Sequence, residues 1–181
     1  RGGATYYRLV PAAFVSDKIV QQGQQMVRTG NRFDGGLRYV NWFVSVPVLL
    51  TQVLYVLDLT RPVVVRVRAV LVTSGVLMVA CGWVGQFSSG RDDGSLLLWG
   101  ALGTPPFLVL LGVLVPRLLQ ARSYLPAVAG RTARNLVAVF AFFWGLYPIA
   151  YLLPAVSDSA TTAVWMQVLF TVADVGSKVL Y

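Results

Sequence analysis

Residues 163–181 read AVWMQVLFTVADVGSKVLY. A bilayer crossing takes roughly 20 predominantly apolar residues. This run has that length, yet it carries one carboxylate, Asp174, and one amine, Lys178. Four residues apart on a helix, the two share a face within contact range. Ionisable groups at membrane depth are costly and by default mark a functional path. A desolvated lysine is also a common Schiff-base former. A structural intramembrane ion pair is the plainer alternative. Either way, the stretch predicts a helix of a membrane bundle with its charged face turned inward.

Working outward, four more runs have the length of a crossing: Tyr39–Leu57, Val67–Phe87, Leu96–Val115 and Asn135–Leu153. Short polar connections such as Ser88–Ser95 and Ser157–Thr162 separate them. Pro47, Pro105, Pro106 and Pro148 lie inside the runs, which membrane helices tolerate because neighbours re-satisfy the freed backbone groups. The whole chain agrees, with 56% hydrophobic and 12% charged residues over 181 positions and a mean hydropathy of +0.67. A soluble domain has about 25% charged residues, so a water-coated globule and a disordered chain are both excluded. The expectation is an all-α membrane protein, one domain over residues 1–181. Thr5–Val15 reads as the tail of a preceding apolar helix, and the chain is expected to be a fragment of a longer protein.

The net charge of +8 comes from basic residues scattered between apolar runs. They form no stripe of the kind that binds nucleic acid. Loop charges orient the bundle instead. Arg61, Arg66, Arg68, Arg117, Arg122, Arg131 and Arg134 fall on one side. Lys18, Arg28, Arg32 and Arg91 fall on the other, offset by Asp17, Asp34, Asp92, Asp93 and Asp158. The positive-inside rule places the first set in the cytoplasm, so the first and last full spans both run from outside to inside. The sequence contains no His and no Glu, and a single Cys81. Imidazole metal sites, His-based triads, thiolate clusters and intrachain disulfides are therefore excluded. Cys81 is expected to be a small packing residue.

The first full span carries a second constellation. Arg38, Asn41, Ser45 and Gln52 follow steps of three, four and seven, which stacks them on one helix face. Trp42 lies beside Asn41. Interhelical hydrogen-bond glue accounts for Ser and Gln. It fits Arg38 poorly, because an intramembrane guanidinium needs an anion nearby.

These motifs resemble the microbial rhodopsins. Arg38-Tyr39-Val40-Asn41-Trp42 with Pro47 resembles their third helix, and Trp144-Gly145-Leu146-Tyr147-Pro148 their sixth. Asp174-Val175-Gly176-Ser177-Lys178 resembles the retinal-binding seventh, while Gly82-Trp83-Val84-Gly85-Gln86 and Trp99 fit the fourth and fifth. The resemblance implies a seven-transmembrane-helix retinal-binding bundle, of which this chain holds the end of helix 2 and helices 3–7. It implies all-trans retinal bound to Lys178 as a protonated Schiff base, with Asp174 as counterion. It also implies a retinal pocket of Tyr39, Trp42, Leu49, Met78, Gly82, Trp99, Trp144, Tyr147 and Pro148. Leu49 stands where related pumps carry the residue of a green-absorbing type.

Asn41, Ser45 and Gln52 resemble the Asn–Thr–Gln pattern of the bacterial chloride pumps, with Ser for Thr. The resemblance implies an ion-binding group of Arg38, Asn41, Trp42 and Ser45, and a cytoplasmic-side gate at Gln52. Amides cannot exchange a proton at neutral pH, and a hydroxyl cannot supply the carboxylate of a sodium pump. The Schiff base and Arg38 place two positive charges against one carboxylate, and burying unmatched charge is expensive. The expected function is light-driven inward transport of chloride or another halide, by a transporter rather than an enzyme. The expected setting is the lipid bilayer of a bacterial plasma membrane, with scope for a homo-oligomer. A sodium or proton pump, or a sensory rhodopsin signalling through a partner, are the alternatives.

Overall fold

The structure, a computed structural model, describes residues 16–22, 25–33, 36–57, 59–87, 93–124, 127–157 and 159–179. Thr5–Val15, Asp34, Arg91, Asp92 and Asp158 lie outside the described residues. Among the described residues, five helices follow a two-stranded hairpin: β1 (Ser16–Gln22), β2 (Gln25–Phe33), α1 (Gly36–Val56), α2 (Arg61–Phe87), α3 (Asp93–Tyr124), α4 (Ala127–Val156) and α5 (Ala160–Val179). Helices consecutive in sequence pack side by side, and β2 lies against α5. The fold is the all-helical bundle read from the apolar runs, as part of a seven-helix architecture.

Two features depart from that reading. The polar stretch before α1 forms an antiparallel hairpin, paired from Gln22↔Gln25 to Ser16↔Phe33 with an irregularity between Asp17 and Ile19. Backbone groups there satisfy one another across the ladder. The helices also outrun the apolar segments. Helix α3, at 32 residues, extends about 48 Å at 1.5 Å per residue, against a hydrocarbon core of about 30 Å. Hydropathy marks the part in lipid, whereas helical hydrogen bonding continues beyond it.

Packing follows the expected inward stripe. On α1 the buried side chains are Tyr39, Trp42, Val46, Leu50 and Val53, at steps of three and four, with Leu54 beside the last. They meet Val67, Leu71 and Val79 of α2. A Cβ at Gly75 would stand 2.9 Å from Val46 Cγ1 and 3.0 Å from Leu50 Cδ1, so α2 approaches α1 where it has no side chain. Small residues drive membrane helix contacts in this way. Leu110, Leu114, Leu118 and Ala121 of α3 are wholly buried. Val44, Val48, Leu98, Leu108, Phe142, Ile149 and Val172 are exposed, as faces turned to lipid would be.

A second close approach ties three helices at one end of the interior. The Tyr151 hydroxyl of α4 donates to the Leu96 carbonyl of α3 at 2.9 Å. A Cβ at Gly85 of α2 would collide with that hydroxyl, and one at Gly100 would stand 2.9 Å from Tyr151 Cε1. Among the described residues four helices, α1 to α4, contain segments long and apolar enough to cross a membrane. Helix α5 has 20 residues and carries Gln167, Thr171, Asp174 and Lys178.

Candidate functional site

The polar stripe of α5 turns toward α1 and α4. Asp174 is its centre, and its Oδ1 accepts three bonds. Lys178 Nζ donates at 2.8 Å, Trp42 Nε1 at 2.7 Å and the Tyr147 hydroxyl at 2.8 Å. Oδ2 faces Arg38 Nε at 3.8 Å. The Lys178 and Asp174 side chains are 25% and 19% exposed, so the pair is partly desolvated without being sealed. Tyr147 also pairs with the Ser177 hydroxyl at 3.2 Å. One carboxylate thus holds two cations and two neutral donors, drawn from three helices.

Arg38 reaches further along α5. Nη1 donates to Gln167 Oε1 at 2.7 Å, Nη2 to the Thr171 hydroxyl at 3.5 Å, and the guanidinium lies 5.3 Å from the Phe170 ring centroid. The aromatic wall behind the cluster is continuous. Trp42 makes edge contacts with Tyr39, Tyr147 and Phe170 at centroid distances of 4.8, 5.1 and 5.3 Å. Trp144 stacks on Phe140 at 4.6 Å.

All of these rings except Phe140 border a cavity of about 850 Å³, counting its open mouth. Small-molecule sites commonly have mostly apolar walls and a few placed polar groups, and this cavity has both. Tyr39, Trp42, Leu49, Met78, Gly82, Trp99, Trp144, Tyr147 and Pro148 all line it, and so does Lys178. The wall also includes Val46, Val79, Gly100, Gly103, Thr104, Phe107, Tyr151, Phe170 and Ser177, which the sequence analysis does not single out. Two of these had a signal in the spacing: Phe170 and Ser177 stand four before and three after Asp174. Gly100, Gly103 and Tyr151 had none, because their place depends on how α3 and α4 cross.

The stripe on α1 divides. Arg38 and Trp42 meet Asp174, whereas Asn41 and Gln52 are exposed. The Ser45 hydroxyl is buried without a protein partner. Positions 38, 41, 45 and 52 do share a side of the helix, but the stripe is wide, and only its edge beside Trp42 faces α5. Among the described residues no group of three or more His, Cys, Asp or Glu side chains could hold a metal ion.

Residues 10–181 match the family described as bacteriorhodopsin-like protein. The chain is 32% identical over 147 residues to bacteriorhodopsin of Haloterrigena sp. (strain arg-4), covering 78% of this chain and 55% of that protein. It spans about half the length of the curated relatives it matches. Among solved structures it is similar to thermophilic rhodopsin, with a TM-score of 0.77, 32% identity, and coverage of 90% of this chain and 65% of that one. It is also similar to xanthorhodopsin, a light-driven ion pump with dual chromophore, with a TM-score of 0.75, 30% identity, and coverage of 88% and 64%.

Proposed function

The chain belongs to the bacteriorhodopsin-like protein family, and on that premise we propose that the full-length protein is a light-driven pump carrying chloride or another halide into the cell, with retinal attached to Lys178. The residues fit such a group. The cavity is walled by Trp42, Trp144, Tyr147 and Phe170, Lys178 lines it, and Lys178 Nζ lies beside a carboxylate at 2.8 Å. Bound there in the all-trans form, retinal would supply the light absorption and the isomerisation that drives transport.

The observation that carries the anion reading is the charge count at Asp174. Arg38 and Lys178 both face that carboxylate, and no second Asp reaches the cluster among the described residues. A diffusible anion would balance the surplus positive charge, since an unmatched buried charge is costly. The buried, unpartnered Ser45 hydroxyl is a neutral donor that can serve an anion without repelling it. Asn41, about one turn earlier on α1, is a second neutral donor, and an aspartate at either place would oppose the anion by like-charge repulsion. Gln52, also neutral, stands nearer the cytoplasmic end of α1 and cannot return a proton. Trp42 and Tyr147 orient Asp174, and the aromatic wall partly shields the Lys178 nitrogen from water. The setting we assign is the plasma membrane.

Illumination of cells expressing the full-length protein tests this reading. Inward halide transport makes the interior negative and draws protons in, so the medium becomes alkaline. A protonophore enlarges that signal, and replacing chloride by sulfate abolishes it. Acidification that the protonophore removes would identify a proton pump with Asp174 as the exchanging carboxylate, and the halide reading would fall.

A further inference from the structure

Arg38 is held from four points of one α5 face: Gln167, Phe170, Thr171 and Asp174. The order of distances runs against charge. Its short bond, 2.7 Å, goes to the neutral Gln167 amide, while the carboxylate of Asp174 stands 3.8 Å away. A guanidinium–carboxylate bond normally closes to about 2.7–2.9 Å, often bidentate. Gln167 lies about two helical turns before Asp174, so it draws the guanidinium toward the N-terminal end of α5. Thr171 adds a longer contact on the same side, its hydroxyl accepting from Arg38 Nη2 at 3.5 Å while donating to the Gln167 main-chain carbonyl at 2.8 Å. Asp174 Oδ1 is crowded with three donors, whereas Oδ2 has Arg38 as its sole partner among the described residues.

We infer that Gln167 is a positioning residue that withholds Arg38 from full contact with Asp174 and so keeps the carboxylate's charge directed at the Lys178 nitrogen. The inference rests on the retinal reading of Lys178. Glutamine suits the task because its carbonyl competes for a guanidinium proton without adding charge. An apolar side chain at 167 releases Arg38, whose planar fork then pairs with Asp174 through the open Oδ2. A carboxylate shared with Arg38 presents a weaker field to a cationic chromophore nitrogen. That stabilises the ground-state charge less, and the absorption band moves to longer wavelength. A glutamate at 167 holds Arg38 in place and produces no such move.

The test uses full-length protein with retinal, comparing Gln167→Leu and Gln167→Glu with Arg38 present and in an Arg38→Gln background, or Arg38→Met should the first background not fold. The expected result is a red shift for Gln167→Leu, none for Gln167→Glu, and no added shift from Gln167→Leu once Arg38 is gone. Equal shifts in both backgrounds, or no shift with Arg38 present, would overturn the assignment. A wild-type protein without a visible band would instead refute the retinal reading, and the contact then stands or falls on retinal-free protein. There Gln167→Leu lowers Tm with Arg38 present and leaves it unchanged without Arg38, as expected of a coupled pair. Equal losses in both backgrounds would refute the contact itself.

Discussion

Trp42 serves two neighbours at once: its ring lines the cavity, and its indole N–H donates to Asp174 Oδ1 at 2.7 Å. Trp42→Phe keeps the ring and deletes the donor, which isolates the hydrogen bond. Interhelical hydrogen bonds in membranes contribute about 0.6 kcal/mol on average and at most about 1.7; those values come from bacteriorhodopsin, a protein of this same family. Trp42→Phe should therefore lower unfolding stability by about 0.6–1.7 kcal/mol, read from equilibrium unfolding in mild detergent, and no loss would mean that Asp174 is held by its other partners alone. On the proposed reading Lys178 carries the heavier role. Lys178→Ala should purify without visible colour after growth with retinal, and a band that survives washing out free retinal would remove Lys178 as the attachment point.

Between elements, one contact that constrains the bundle is the notch where Tyr151 enters between Gly85 and Gly100. The three residues belong to α4, α2 and α3, so one added methyl is felt by all three helices. Overpacking a tight contact costs typically about 1–3 kcal/mol. Gly85→Ala should cost that much, measured as a lowered Tm. Tyr151→Phe in the same chain should recover part of it, because the clashing atom is the hydroxyl. Recovery will be incomplete, since a Cβ at Gly85 also stands 2.8 Å from Trp99 Cβ and the bond to Leu96 is lost. An equal loss with and without the Tyr151 hydroxyl would show that the notch is not the limiting contact.

For the whole molecule, orientation follows from charge and alternation. Arg61, Arg66 and Arg68 near the start of α2, and Arg131 near the start of α4, are exposed on the side where α1 and α3 end. Positive-inside placement puts that side in the cytoplasm. Thr60 and Ser157, both exposed, then lie on opposite membrane faces. In a Cys81→Ala background, a membrane-impermeant maleimide added to intact cells should label Ser157→Cys and spare Thr60→Cys until the cells are opened. The reverse pattern would invert the bundle, and with it the direction of any transport derived from the site.

What the sequence determined by itself was whatever depends on length, period and residue chemistry. Apolar runs of bilayer length can satisfy their backbones only as helices, and Asp174 and Lys178 share a face because four residues make about one turn. The pocket set around Trp42, Trp144 and Tyr147 was legible through the resemblance, and its nine positions and Lys178 border one cavity. The tertiary structure alone decided which edge of each stripe faces inward. Arg38, Asn41, Ser45 and Gln52 are equivalent by spacing, yet only Arg38 meets α5, because the rotation of α1 is set by how Val46 and Leu50 seat over Gly75. The same holds for Gln167 and Tyr151. Their roles come from what stands opposite them on another helix, and a single helix's period contains no information about its neighbour.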